Sequence, residues 1–122
     1  MKQSLLVVDD SKVSRMMIKN HVTKLQPDWT VIEAASGDEA IALAKAQRPN
    51  FITMDVNMPG ISGFEAVARI RAFDPDVRIA MLTANIQESS REKAAALKVT
   101  FVQKPATEAA VRQAVDYFVA VS

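Results

Sequence analysis

Five short apolar runs alternate with five longer stretches of helical period along the chain. Residues 4–8 (SLLVV), 29–34 (WTVIEA), 50–54 (NFITM), 77–82 (VRIAML) and 99–103 (VTFVQ) are rich in β-branched or aromatic residues and mostly apolar on both faces. A strand covered by helices on two sides needs that composition, so the runs predict parallel strands. The stretches 12–25, 37–47, 63–72, 87–97 and 107–119 read as helices. Ser36 with Glu39, Ser62 with Glu65 and Ser89 with Glu92 have the spacing of capping boxes, in which hydroxyl and carboxylate satisfy backbone N–H groups at a helix start. The last pair moves the expected start of the fourth helix a few residues downstream. In the final helix Val111, Val115 and Phe118 share one face, leaving Arg112, Gln113 and Asp116 on the other. The repeated βα unit predicts an α/β fold, (βα)₅, a doubly wound parallel five-stranded sheet with helices on both faces. In such a fold ligands sit at the carboxyl ends of the strands.

Length and charge narrow the picture. The 122 residues make one domain over 1–122, able to bury roughly two thirds of its unfolded surface, and no attached output domain is expected. A net charge of +1 with scattered basic residues argues against nucleic acid or an anionic membrane as partner. There is no cysteine and no apolar run near the ~18 residues of a membrane span, which points to a cytoplasmic protein without a redox role.

Polar residues recur where four of the five runs end. Asp9 and Asp10 follow the first, Asp55 the third (ITMDVNMPG), Thr83 the fourth (MLTAN) and Lys104 the fifth (FVQKPA). Each alone has an ordinary reading: an acid before a helix caps it, an aspartate before Met58, Pro59 and Gly60 starts a turn, and a lysine is a surface charge. Capping does not explain why three acids and a lysine arrive at one end of one sheet. Carboxylates that close together must take up protons or a cation, and an all-oxygen ligand set favours a hard divalent ion such as Mg²⁺.

In these residues the chain closely resembles the response-regulator receiver domains. The resemblance covers the whole chain: DD at 9 and 10, D at 55, MPG at 58–60 with Gly63, T with a small neighbour at 83 and 84, and KP at 104 and 105. It implies a flavodoxin-like strand order of 2-1-3-4-5 and a phosphorylation-dependent switch of a two-component system. By the same resemblance Asp55 accepts a phosphoryl group from a histidine kinase or phosphotransfer protein. Asp10, Asp55 and the backbone carbonyl of Asn57 would bind Mg²⁺, with Asp9 acting through a metal-bound water, while Lys104 and Thr83 hold phosphoryl oxygens. Phosphoryl transfer asks for little more than an in-line nucleophile, a metal and fixed positive charge. Asn57 and Asn85 stand at positions resembling those that flank the attacking water and so would set phosphoryl lifetime. A cis peptide before Pro105 is also implied.

Output is expected by contact of a downstream protein target with the fourth helix, fifth strand and fifth helix. There Phe101 and Thr83 would form the switch, and Arg112, Gln113, Asp116 and Tyr117 the recognition surface. Such a domain is phosphorylated and dephosphorylated in place rather than being a turnover enzyme. Three positions depart from the commonest pattern: Phe101 where tyrosine is also common, Leu97 where a glycine often ends the fourth helix, and Ala106 where a bulky apolar residue is frequent.

Other readings fit less well. A Mg²⁺-dependent hydrolase of haloacid-dehalogenase type needs Asp-x-Asp after the first strand and a cap, whereas here the doublet is Asp-Asp and Asp55 ends a different strand. A flavodoxin-like cofactor binder should show a Ser/Thr/Gly-rich loop in place of DDSKVSR, and a module that has lost phosphorylation should lack an acid or the lysine. A phosphate sink or relay without its own output fits the same residues. His21 reads as a surface residue, and Met16, Met17 and Met81 as core filler.

Overall fold

The computed structural model describes residues 3–85 and 91–120. Its elements are β1 (Ser4–Val8), α1 (Lys12–Leu25), β2 (Thr30–Ala34), α2 (Gly37–Gln47), β3 (Phe51–Asp55), α3 (Gly63–Phe73), β4 (Arg78–Thr83), α4 (Arg91–Leu97), β5 (Val99–Gln103) and α5 (Glu108–Ala120). All neighbouring strands pair in parallel, in the order β2-β1-β3-β4-β5. Strands β1, β3 and β4 are buried almost throughout and hold the centre, whereas β2 exposes Thr30 and Glu33 and forms an edge. The central strands are covered by helices on both faces, which their apolar residues at successive positions require.

Boundaries shift by a residue or so from the expected ones. Strands β3 and β4 extend to Asp55 and Thr83, so both side chains are carried by the last residue of a strand rather than by a loop. Strand β2 begins at Thr30, and the Trp29 ring before it stacks on Phe51 at 4.7 Å, with Phe51 on Phe118 at 4.9 Å. Ser36 and Ser62 cap α2 and α3, accepting the N–H groups of Glu39 and Glu65 at 3.1 and 3.2 Å. Glu39 reaches back to the Ala35 N–H at 2.8 Å, whereas Glu65 instead pairs with Arg69 at 3.3 Å. The expected start of the fourth helix at 87 and its capping residue Ser89 lie outside the described residues.

The alternation of side chains along each strand divides the core in two. One face of the sheet carries Leu6, Val8, Ile52, Met54, Ile79 and Met81 against α2 and α3. The other carries Leu5, Val7, Phe51, Ala80 and Leu82 against α1 and α5, where Val111, Val115 and Phe118 form the buried stripe. Met81 is core as expected, but Met16 and Met17 are not: they are 50 and 39% exposed, because α1 turns Ile18 and Val22 to the sheet and presents a second apolar face outward. His21 is half-buried rather than superficial, and its enclosed Nδ1 has no hydrogen-bond partner among the described residues.

The end of α4 is also built differently. The left-handed residue there is Lys98 (φ 57°), one beyond Leu97. Arg71 of α3 holds this turn, donating to the carbonyls of Leu97 at 2.9 Å and Lys98 at 2.7 Å, and to those of Pro75 and Val77.

Candidate functional site

Ladder pairing brings the polar strand ends together at one edge. Asp9 follows β1 and is fully buried, its N–H donating to the Ala34 carbonyl at the end of β2. Its carboxylate is held on both oxygens: Oδ1 accepts the Ser11 N–H at 2.9 Å and Oδ2 the Lys104 ammonium at 2.8 Å. Asp10 is exposed, and Asp55 is buried. Lys104 Nζ also lies 3.5 Å from Asp55 Oδ1, bridging the two buried acids. One carboxylate oxygen from each of Asp9, Asp10 and Asp55 falls within 4.8 Å of the others. That set of three hard oxygen donors, one of them at the surface, suits a divalent cation that keeps part of its water shell.

Burial raises Asp55 from the usual 3.8 to about 6, helped by the charges of Asp9 and Asp10 and opposed by Lys104 and the Asn57 N–H. Lys104 has a raised pKa: burial alone would lower it, but its hydrogen bond to Asp9 and the charges of Asp55 and Asp9 outweigh that. The consequence for stability has a definite sign. A carboxyl that binds its proton more tightly when folded favours folding at low pH, and that advantage is lost as pH rises from about 4 through about 6. The shift is equivalent to about 3 kcal/mol above that window. Asp55→Asn should therefore stabilise the metal-free protein at pH 7.5 by roughly 1–3 kcal/mol, with the gain vanishing near pH 4. Urea unfolding of both proteins in EDTA across this range measures it, and a gain that does not change with pH contradicts it.

Thr83 ends β4, fully buried, with its hydroxyl donating to the Asn85 carbonyl at 2.9 Å and accepting the Asn85 N–H at 3.1 Å. Its own carbonyl accepts the Lys104 N–H at 2.8 Å, which ties the ends of β4 and β5 together. The Lys104–Pro105 peptide is cis. Asn57 and Asn85 are both exposed at the rim of the site.

Farther out, Phe101 on β5 is half-buried and meets Phe64 of α3 edge-on at 6.1 Å, while Lys93 of α4 sits 4.6 Å above the Phe64 ring. On α5, Arg112 pairs with Glu108 at 3.4 Å, Gln113 and Asp116 are exposed, and Tyr117 is half-buried beside Phe118.

Arg15 and Gly63 also matter to the site, for reasons the sequence does not display. Arg15 donates to the Asp9 carbonyl at 2.7 Å and to Glu33 of β2 at 3.1 Å, bracing the acid turn against the edge strand. Gly63 was noted as part of a motif, but its reason appears only in three dimensions. A Cβ there would overlap the Asp55 carbonyl oxygen, and the Gly63 N–H donates to the Val56 carbonyl at 2.9 Å. Neither contact leaves a local signal in the chain.

A sheet that gathers acids, a lysine and a buried hydroxyl at the carboxyl ends of its strands supplies what phosphoryl transfer asks for: a carboxylate, oxygen ligands for a metal and a fixed positive charge. Residues 5–116 match the model of the response regulator receiver domain, and the chain belongs to that family. As a member it is a phosphorylation-dependent switch of two-component signalling. Protein CcdB of Bacillus subtilis is 36% identical over 114 residues, 92% of this chain and 93% of its own length. The chemotaxis protein CheY of Thermotoga maritima is 35% identical over 89 residues, 73% of each chain. A protein-glutamate methylesterase/protein-glutamine glutaminase of Anaeromyxobacter dehalogenans is 38% identical over 86% of this chain, which spans 31% of that longer protein. Among solved structures, a chain of the CheX–CheY–BeF₃–Mg²⁺ complex of Borrelia burgdorferi superposes with a TM-score of 0.87 at 28% identity, covering 98% of this chain and 90% of its own. Among the described residues no helix is long and apolar enough to cross a membrane.

Proposed function

We propose that Asp55 is the phosphoacceptor of this switch, charged by a histidine kinase or phosphotransfer protein and read by a downstream protein target. The observation that carries this is the buried Asp55 carboxylate standing 3.5 Å from Lys104 and within 4.8 Å of the oxygens of Asp9 and Asp10. An Asp55 oxygen forms the new bond to phosphorus as the bond to the donor nitrogen breaks, and that nitrogen leaves with a proton. Mg²⁺ held by Asp10, Asp55 and the Asn57 carbonyl, with Asp9 through water, would supply positive charge for the phosphoryl oxygens. Lys104 supplies a second, fixed charge, already directed at Asp55 by its bond to Asp9. Thr83 would exchange its bond to the Asn85 carbonyl for one to a phosphoryl oxygen. Intact-mass analysis after treatment with acetyl phosphate and Mg²⁺ tests the assignment.

The amides of Asn57 and Asn85 can orient water but cannot act as a general base. Asn57→Ala and Asn85→Ala should therefore alter the decay of the phosphorylated form while leaving its formation largely intact. Decay rates equal to wild type in both variants would remove that role.

Output is assigned to the face of α4, β5 and α5, with Phe101 as the moving element and Arg112, Gln113, Asp116 and Tyr117 of α5 as the recognition residues. Movement of Thr83 toward phosphate frees space next to β5, and an element with two positions biased from both ends is what coupling requires. Phe101→Ala should leave labelling intact and weaken binding of the activated form to its target. Should Phe101→Ala and Arg112→Ala both leave that affinity unchanged, the signal leaves by another face.

A further inference from the structure

Of the three acids at the site, Asp10 is the one no side chain holds. Asp9 is bound on both carboxylate oxygens and Asp55 has Lys104 beside it, whereas the exposed Asp10 carboxylate makes no hydrogen bond or ion pair among the described residues. Yet one of its oxygens lies within 4.8 Å of oxygens of Asp9 and Asp55. Repulsion among three carboxylates drives an unheld one outward. The backbone must therefore set its direction.

The Asp9 carbonyl oxygen and the Asp10 Cα belong to one planar peptide unit. At its Asp9 end the chain is fixed, by the N–H bond to the Ala34 carbonyl at 3.1 Å and by the two carboxylate bonds. What remains is rotation of the Asp9–Asp10 peptide, and Arg15 restrains it: Nη1 donates to the Asp9 carbonyl at 2.7 Å. The Arg15 side chain is only 15% exposed, and its Nε donates to Glu33 Oε1 at 3.1 Å, with Lys19 3.9 Å from the other Glu33 oxygen. Glu33 is itself set by β2, where it stands opposite Val7 of β1. A planar guanidinium with both arms of its fork engaged has little freedom to turn.

We infer that Arg15 is a positioning residue for the cation site: by holding the Asp9 carbonyl from the edge strand it aims Asp10 at Asp9 and Asp55. The inference rests on the reading of these three acids as the oxygen ligands that serve the Asp55 acceptor. Glu33 is the second link, fixing the guanidinium and balancing its charge. Charge and position act on the site with opposite signs. A guanidinium near three acids repels a divalent cation, so by charge alone its removal tightens cation binding. As the group that orients Asp10, its removal weakens that binding.

The test titrates Mn²⁺, a hard ion with the same preference for oxygen, into each protein while electron paramagnetic resonance reads the free ion, and adds Mg²⁺ in competition. Arg15→Met should bind either ion about tenfold more weakly than wild type, as expected for loss of a group that orients a metal ligand. Arg15→Lys keeps the charge and the stem but not the fork, and should still bind at least about threefold more weakly. Glu33→Ala should weaken binding too, and the double variant Arg15→Met/Glu33→Ala should be no weaker than Arg15→Met, because Glu33 acts through Arg15. Acetyl phosphate labelling of Arg15→Met should be slow at low Mg²⁺ and return to within about twofold of wild type when Mg²⁺ saturates. Tighter binding in Arg15→Met, or unchanged binding in Arg15→Lys, overturns the inference. So does a fall in stability by urea unfolding in EDTA with no change in affinity, which would make Arg15 a brace for the fold alone. If wild type binds neither ion, the metal site has failed and this inference with it. If wild type binds both and is not labelled, only the acceptor assignment has failed.

Discussion

Acetyl phosphate with Mg²⁺ is expected to add a single phosphoryl group to the wild-type chain and none to Asp55→Asn. Three carboxylates lie close enough to compete, but they are not equivalent. Both oxygens of Asp9 are already engaged, by the Ser11 N–H and by Lys104, and its side chain is fully buried. Asp10 is exposed and has no lysine beside it among the contacts of the site. Only Asp55 combines a nucleophilic oxygen with a cation 3.5 Å away to absorb the charge that develops in transfer. An amide in its place is a far weaker nucleophile, so the loss should be complete rather than partial. Chelation with EDTA should abolish labelling of the wild type as well. Labelling that survives Asp55→Asn, or that persists in EDTA, would sink the assignment.

The second large effect is expected from Gly63→Ala, a change of one methyl group. The new Cβ would overlap the Asp55 carbonyl oxygen and come within 3.0 Å of the Asp55 carbonyl carbon and of the Val56 Cα. All three are backbone atoms of the strand end, so no side chain can swing aside. Relief requires α3 to withdraw, stretching the 2.9 Å bond from the Gly63 N–H to the Val56 carbonyl. We expect a loss of about 2–4 kcal/mol in urea unfolding, in the range of severe overpacking. Mg²⁺ affinity should fall with it, since the overlap falls on the Asp55–Val56 backbone that carries Asp55 and leads to Asn57. An unchanged unfolding midpoint would show that α3 can shift at no cost.

The fold was readable because its strands announce themselves twice, as apolar runs and as the termini at which polar residues appear. Asp9, Asp55, Thr83 and Lys104 were legible as a group for that reason: each is placed by a strand end, and the sheet does the rest. Arg15 was not legible, since its partners, Asp9 just past β1 and Glu33 in β2, come together only through the pairing of the two strands. Met16 and Met17 misled because α1 is apolar on two sides. Its sequence cannot say which side meets the sheet, and Ile18 and Val22 won that position. At the end of α4 the chain uses Lys98 in the left-handed conformation without glycine. What makes this tolerable is Arg71, twenty-seven residues away, which gathers the carbonyls of the turn.

The Thr83 hydroxyl has one hydrogen, and among the described residues the Asn85 carbonyl accepts it at 2.9 Å. With Asp55 as the proposed acceptor, a phosphoryl oxygen there would compete with the Asn85 carbonyl for that hydrogen. The two acceptors are in competition, and competition at equilibrium runs in both directions. A protein that favours the freed Thr83 hydroxyl would lower the free energy of the phosphorylated form by the same amount that phosphorylation tightens its own binding. On that reading a target of this domain would not be a passive reader: its abundance would help decide how much of the switch is charged.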